Sequence, residues 1–220
     1  MFVFMLRRPP ISSLFPYTTL FRSRKRLDIL DVARRNQQKA WEIIEKVNVI
    51  PIWESIGAQV NLVGSLRMGL LMKHRDIDFH IYTSSLSLAD SFRAMAKLAE
   101  NTSVKKIECV NLLHTVEACV EWHAWYQDSD NALWQIDMIH IRKGSRYDGY
   151  FEKVAERISS VLTDEIKRTI LQLKNETPES EKIMGVEYYQ AVIRDGVRTY
   201  AGFEEWRKEH PVGGVLEWMP

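Results

Sequence analysis

The chain is expected to form an α+β fold: a mixed sheet flanked by helices, followed by a C-terminal helical region. Three observations predict it. Within Arg75–Tyr82, Asp76, Asp78 and His80 alternate with Ile77, Phe79 and Ile81. That period of two marks a strand with one polar and one apolar face. Three further runs, Val104–Leu113, Ala118–Tyr126 and Leu133–Ile141, are rich in Val, Ile, Trp and Tyr, residues that suit a pleated, half-buried surface. Before and after this middle stretch the apolar residues recur at helical spacing.

In chain order, Arg24–Val47 places Leu27, Leu30, Ala40, Trp41, Ile44 and Val47 at helical intervals, which predicts a helix packed by one face. A short helix is expected over Ile52–Ile56. Gln59–Val63 reads as a strand ending in Gly64-Ser65, Arg75–Tyr82 as the next strand, and Leu86–Glu100 as a helix. Asp128-Ser129-Asp130-Asn131 supplies the turn between the last two strand-like runs. From Gly149 onward the pattern is helical, with Phe151, Val154, Ala155, Ile158, Val161 and Leu162 on one stripe. Thr163 is a suitable N-cap. Thr177-Pro178 is expected to start another helix, with proline at the tolerated first position. A last helix is expected near Phe203–Lys208. The boundary between the sheet-bearing part (24–145) and the helical part (146–220) falls near Gly144–Gly149.

Composition excludes several classes. The 220 residues are 45% hydrophobic and 27% charged, enough to build a core and stay solvated. No apolar run approaches the roughly 18 residues that cross a bilayer. Two cysteines, Cys109 and Cys119, rule out a disulfide scaffold and suit a reducing, cytoplasmic setting. The absence of CxxC and HExxH argues against a thiolate or histidine zinc site, and no GxxxxGK[ST] run signals a P-loop. Thirty Lys+Arg against 29 Asp+Glu weighs against a generic nucleic-acid binder.

Residues 1–23, MFVFMLRRPPISSLFPYTTLFRS, carry Pro9, Pro10 and Pro16 and no acidic residue. Arg7 and Arg8 follow the apolar start, whereas a signal peptide places its charge before an apolar core of about 7–15 residues. RRPPISSLFPYTTLFRS resembles a conceptual translation of sequencing-adapter DNA, so 1–23 are expected to be a non-native, dispensable leader. Setting them aside removes Arg7, Arg8 and Arg22 from the 30 basic residues and leaves a slight acidic excess.

The chemistry is concentrated in Val63-Gly64-Ser65, a ten-residue gap, Asp76-Ile77-Asp78-Phe79, and Asp137 in Trp134–Ile139. Two aspartates two apart on a strand point to one side, where they repel unless cations neutralise them. Oxygen-only ligands suit magnesium, which takes phosphate oxygens as further ligands. A third carboxylate from a neighbouring strand would complete a two-metal clamp, with ions about 3.5–4 Å apart, for in-line phosphoryl displacement. Gly64 lets a phosphate chain approach the backbone. Ser65 offers a hydroxyl, and a helix beginning there would add amide donors.

This pattern resembles the DNA polymerase beta-like nucleotidyltransferase superfamily, over about residues 50–141. The helical C-terminal region is more loosely similar to the acceptor-binding part of small antibiotic-type nucleotidyltransferases. The resemblance implies that Asp76 and Asp78 bind two magnesium ions, that Asp137 binds the catalytic one and helps deprotonate the acceptor, and that Gly64 and Ser65 hold the triphosphate. The implied activity is transfer of a nucleoside monophosphate, AMP from ATP, to a hydroxyl of a small molecule, with release of pyrophosphate. Two other readings are an antitoxin-like, non-catalytic module of the same fold and an RNA-directed terminal transferase. Near-neutral charge disfavours the latter, so nucleic acid is not the expected partner.

Other residues have weaker claims. Arg67, Lys73 and Arg75 are candidate triphosphate ligands, with an exposed helix end as the competing role. Trp122 and Trp125 could stack a base, but core packing is the expected role for both. Glu121 shares a strand face with His123 and is a candidate general base. His80 continues the Asp76–Asp78 face as a supporting group. Tyr188 and Tyr189 are candidates for an acceptor wall, with helix packing as the rival. His74, His114, His140 and His210 form no ligand pattern, and Gly213-Gly214 reads as a tail turn.

Overall fold

The computed structural model describes residues 28–212 and 217–220. The 1–23 leader, Leu27 and Gly213-Gly214 lie outside these residues. Helix α1 (Ile29–Val47) is capped by the Asp28 carboxylate, which accepts from the Leu30 amide, and ends at Asn48 in the left-handed conformation. Helix α2 is Val49–Glu54. It begins three residues before the sequence expectation because Pro51 sits inside the first turn, where its missing N–H has no partner to lose. Strand β1 (Gln59–Val63) leads into the single-turn helix α3 (Gly64–Arg67) and then strand β2 (Asp76–Tyr82). Helix α4 (Leu88–Ala99), capped by Ser87, precedes β3 (Val104–Asn111), β4 (Cys119–Gln127) and β5 (Leu133–Ile141).

The five strands form one mixed sheet in the order β1-β2-β5-β4-β3. Only β2 and β5 run parallel; the other pairs are antiparallel. Period two divides the sheet into unlike faces. Ile77, Phe79, Trp122, Ala124, Ile136 and Met138 are all buried and pack with α2, α4 and the second half of α1. The opposite face carries the aspartates and is roofed by the C-terminal helices.

That region comprises α5 (Tyr150–Val161), α6 (Asp164–Glu176), α7 (Gly185–Tyr189), which continues as a π-helical segment over Gln190–Arg194, and α8 (Tyr200–Glu209). Thr163 caps α6 as expected, accepting from the Ile166 amide. Thr177-Pro178 starts no helix. Thr177 ends α6: its buried hydroxyl donates to the Leu173 carbonyl at 2.9 Å and lies 2.7 Å from the Tyr188 hydroxyl. Trp41, expected on the packed face of α1, is 46% exposed; Ala40, Ile43, Ile44 and Val47 carry that contact.

Helix α1 serves two cores. Ala33 packs with Leu70, Ile158, Ile170 and Phe203 of the C-terminal cluster, while Ala40–Val47 packs on the sheet. The described part of the chain therefore does not divide cleanly at Gly144–Gly149, because its first helix is common to both halves.

Behind the sheet, His140 is fully buried, with Nε2 2.9 Å from the Thr83 hydroxyl and Nδ1 3.3 Å from that of Ser91. Burial lowers its pKa to about 4. A histidine depressed in the folded state contributes stability above its unfolded pKa and loses it as pH falls through the folded value. The melting temperature is therefore expected to drop between pH 6.5 and 4, by an equivalent of about 3 kcal/mol. His140→Gln should flatten that part of the profile; an unchanged slope would remove His140 as the cause.

Candidate active site

Strand pairing assembles the acids. Asp78 is in register with Asp137 on β5 and with Val63 on β1, so the third aspartate and the Gly64 turn flank it on either side. Gly64 has φ +66°, and a Cβ built on it would stand 1.9 Å from Asp78 Oδ2. Glycine is therefore required twice, for backbone conformation and for the approach of a carboxylate. Gly64, Ser65, Asp76, Asp78 and Asp137 all line one cavity of about 680 Å³.

Burial disfavours charge on Asp76 and raises its pKa, opposed chiefly by Lys174. Asp78 is raised well above the carboxylate range, first by burial and then by the charges of Asp76 and Asp137. Asp78 opens onto this cavity, and Asp76 onto it and a second cavity beside it. Asp137 Oδ1 lies 2.6 Å from His123 Nδ1, and Gln135 Nε2 donates to both its oxygens at 2.9 and 3.1 Å. His123 also faces Glu121 at 3.7 Å. Its bonds to Asp137 and then Glu121 raise its pKa to about 10. Glu121 thus shares His123 with Asp137. Among the described residues no three His, Cys, Asp or Glu side chains already converge as a metal's ligands would. The donor set nonetheless fits magnesium: three carboxylates on adjacent strands, with repulsion that a divalent cation would relieve.

Lys174, which sequence reasoning passed over, closes the Gly64-Ser65 turn. It is 6% exposed. Its Nζ donates to Ser65 Oγ at 2.8 Å, to the Leu70 carbonyl at 3.2 Å and to the Tyr189 hydroxyl at 3.2 Å. Ser65 Oγ and the Tyr189 hydroxyl are 3.0 Å apart. Tyr189 therefore lines the main cavity bonded to the Gly64-Ser65 turn, whereas Tyr188, 1% exposed and stacked on Phe203, is core. A signal for Lys174 was present: Ile166, Ile170 and Lys174 follow one another at i, i+4 on α6, placing a charge on an apolar line.

The three basic candidates do not join Gly64 and Ser65. Arg67 donates to the Leu62 carbonyl and reaches Glu156 at 3.5 Å, outside the cavity. Lys73 donates to the Thr177 carbonyl at 2.8 Å, and Lys73 and Arg75 line a second cavity. Arg67 lies on α3 itself but is turned to Leu62 and Glu156, whereas Lys73 and Arg75 lie between α3 and β2. Trp122 is buried, with Nε1 donating to Ser91 Oγ at 2.7 Å; Trp125 instead lines the second cavity.

His80 faces the main cavity but its Nδ1 lies 3.4 Å from Glu152 of α5, not from an aspartate. Tyr82 and Asn61 also donate to Glu152, at 2.9 and 3.2 Å. Burial opposes ionisation of Glu152, but the bond and charge of His80, the Asn61 bond and a backbone bond together lower the carboxyl to about 2. This cluster fastens α5 to β1 and β2.

The architecture matches solved structures. The Cid1 poly(U) polymerase bound to MgGTP superposes with a TM-score of 0.53 at 13% identity, covering 74% of this chain and 53% of that one. A second Cid1 structure, described for its RNA terminal uridylyl transferase activity, gives 0.52 at 13% identity, covering 74% and 50%. The non-canonical poly(A) polymerase complex GLD-2–GLD-3 gives 0.51 at 10% identity, covering 83% and 62%. The chain has a nucleotidyltransferase fold. It spans about half to three-fifths of the length of these neighbours. No family model and no curated protein sequence matches it. Within this fold, the described helices include none long and apolar enough to cross a membrane.

Removing the Lys174 charge tests the phosphate turn. Lys174→Met keeps most of the stem but loses the donor. By unpinning Ser65 and Tyr189 it is expected to raise KM for the nucleotide about fivefold, the scale of one net hydrogen bond. Tyr189→Phe should act in the same direction more weakly. Steady-state kinetics at saturating acceptor would measure both; an unchanged nucleotide KM in Lys174→Met would detach Lys174 from phosphate binding.

Proposed function

We propose that the chain is a magnesium-dependent nucleotidyltransferase that moves a nucleoside monophosphate from a nucleoside triphosphate to a hydroxyl and releases pyrophosphate. The observation that carries this reading is the convergence of Gly64, Ser65, Asp76, Asp78 and Asp137 on one cavity. Gly64 admits a phosphate to the backbone, Ser65 supplies a hydroxyl donor to its oxygens, and Lys174, behind the turn, holds that hydroxyl in place. Asp76, Asp78 and Asp137 would hold magnesium, which when bound neutralises charge on the phosphates and on the attacking and leaving oxygens. In the proposed reaction the hydroxyl oxygen bonds to the α-phosphorus and the bond from that phosphorus to the bridging oxygen breaks. Pyrophosphate leaves with the bond's electron pair. Asp137 receives the hydroxyl proton on Oδ2, while His123 stays on Oδ1.

The acceptor is better read as the 3′-hydroxyl of an RNA than as a small molecule. The neighbours on which the fold rests are described as poly(U) and poly(A) polymerases, and the expectation of a small-molecule acceptor has no counterpart among them. Near-neutral net charge disfavoured nucleic acid, but charge summed over a chain says nothing about one cleft. The test is incubation with magnesium, α-labelled ATP or UTP, and either a short RNA or a panel of hydroxylated small molecules. Magnesium-dependent label on the RNA is expected. Label on a small molecule alone would return the acceptor to the other class, and no pyrophosphate release with any acceptor would favour a non-catalytic module.

A further inference from the structure

We propose that the second cavity, on the other side of Asp76 and Asp137 from the phosphate turn, is the acceptor site. We propose that it takes the 3′ end of a single-stranded nucleic acid, with Trp125 as the platform for a base. This rests on the nucleotidyl-transfer reading above and assigns its two substrates to two places.

The cavity holds about 460 Å³, within the size range of small-ligand sites. Asp76 and Asp137 line both cavities, whereas Gly64, Ser65 and Asp78 line only the first. Gly64 and Ser65 therefore assign the first cavity to the triphosphate. The second meets the acids from a different direction, and it meets Asp137, the acid assigned to the attacking hydroxyl. In-line displacement needs the attacking and leaving oxygens on opposite sides of the phosphorus, and two cavities sharing two of the three carboxylates provide that separation.

The lining matches a nucleic-acid strand. Lys73, His74, Arg75 and Lys182 are basic, and besides the shared aspartates the acid present is Glu179. Arg75 and Lys182 are exposed at the rim, placed to meet backbone phosphates. Trp125 is half-buried on β4 between Lys106 of β3 and Gln135 of β5, with Lys106 Nζ 4.3 Å from its ring centroid. An aromatic ring beside cations is how single strands are held without sequence readout: the ring stacks a base and the cations follow the phosphates. A cationic small-molecule acceptor would meet like charge in the same place.

The experiment uses the full chain with magnesium, a 5′-labelled single-stranded RNA and, in a parallel arm, a DNA of the same sequence. It compares wild type with Trp125→Ala, Trp125→Phe, Arg75→Gln and Lys182→Gln, each checked by thermal melting. Trp125→Ala is expected to raise KM for the RNA about tenfold or more, the range of a lost base–aromatic stack, with KM for the nucleotide within about twofold; Trp125→Phe should restore much of it. Arg75→Gln and Lys182→Gln should each reduce the salt dependence of RNA binding by about one counterion. These effects on DNA with none on RNA would overturn RNA as the acceptor. A raised nucleotide KM with RNA binding intact would overturn the assignment of cavities. Tight nucleotide binding and pyrophosphate release to a small acceptor, with no binding of either strand, would overturn the nucleic-acid site while leaving nucleotidyl transfer standing. Failure to bind nucleotide at all would instead sink the underlying function.

Discussion

Asp78→Asn is expected to reduce nucleotidyl transfer by at least about a hundredfold, the scale on which removal of one preorganised charge-stabilising group acts. The substitution nearly preserves volume and hydrogen-bonding shape but deletes a charge. Burial and repulsion from Asp76 and Asp137 push the Asp78 carboxyl well above its usual range, so the folded chain holds that proton more tightly than the unfolded chain does. Its ionisation therefore weakens the metal-free fold as pH rises through this range. Asp78→Asn should melt at the same temperature as wild type or higher in chelator at neutral pH, and gain less stability from magnesium with nucleotide. Asp76→Asn should follow it. Asp137→Asn should lose transfer comparably while sparing nucleotide binding, because Asp137 is the acid assigned to the attacking hydroxyl rather than to the triphosphate. An active Asp78→Asn enzyme, or nucleotide stabilisation indifferent to magnesium, would end the metal-dependent reading.

Gly64→Ala should be nearly as damaging, for a steric reason. A side chain at φ +66° costs roughly 1–2 kcal/mol by itself, and this one would also overlap the Asp78 carboxylate at 1.9 Å. Either the turn moves away from the nucleotide or Asp78 rotates out of the cluster. Transfer is expected to fall by about a hundredfold or more, with a modest drop in melting temperature. Ser65→Ala, which removes only a hydroxyl, should cost far less in stability. Wild-type activity in Gly64→Ala would mean that the turn relaxes freely and that Asp78 does not depend on its place there.

The shift of acceptor from small molecule to RNA follows the same distinction between local and assembled properties. A net charge of +1 is a sum over 220 residues. The cavity beside Asp137 draws its basic residues from the segment before β2 and from the stretch between α6 and α7, separated by about a hundred positions. Lys73-His74-Arg75 is a visible basic run, but only the fold brings Lys182 to it and sets both beside Asp137.

What the sequence by itself determined is whatever short-range period controls. The alternation of Asp76, Asp78 and His80 with Ile77, Phe79 and Ile81 placed both acids on one face of β2. The β5 alternation put Asp137 on the polar side opposite Ile136 and Met138, and the glycine before Ser65 marked the turn. What only the tertiary structure decided is where side chains from distant elements meet. Lys174 reaches Ser65 across 109 positions, and Tyr189 joins them from the end of α7. Thr177-Pro178, a helix start by local rule, became a helix end because the buried Thr177 hydroxyl bonds Leu173 and Tyr188. Strand period is set by neighbouring backbone geometry and survives in any context. Which group a buried lysine meets depends on how helices dock onto the sheet, and that docking is driven by non-directional burial of apolar surface, so the line of Ile166, Ile170 and Lys174 shows a charge on a buried face but not its partner.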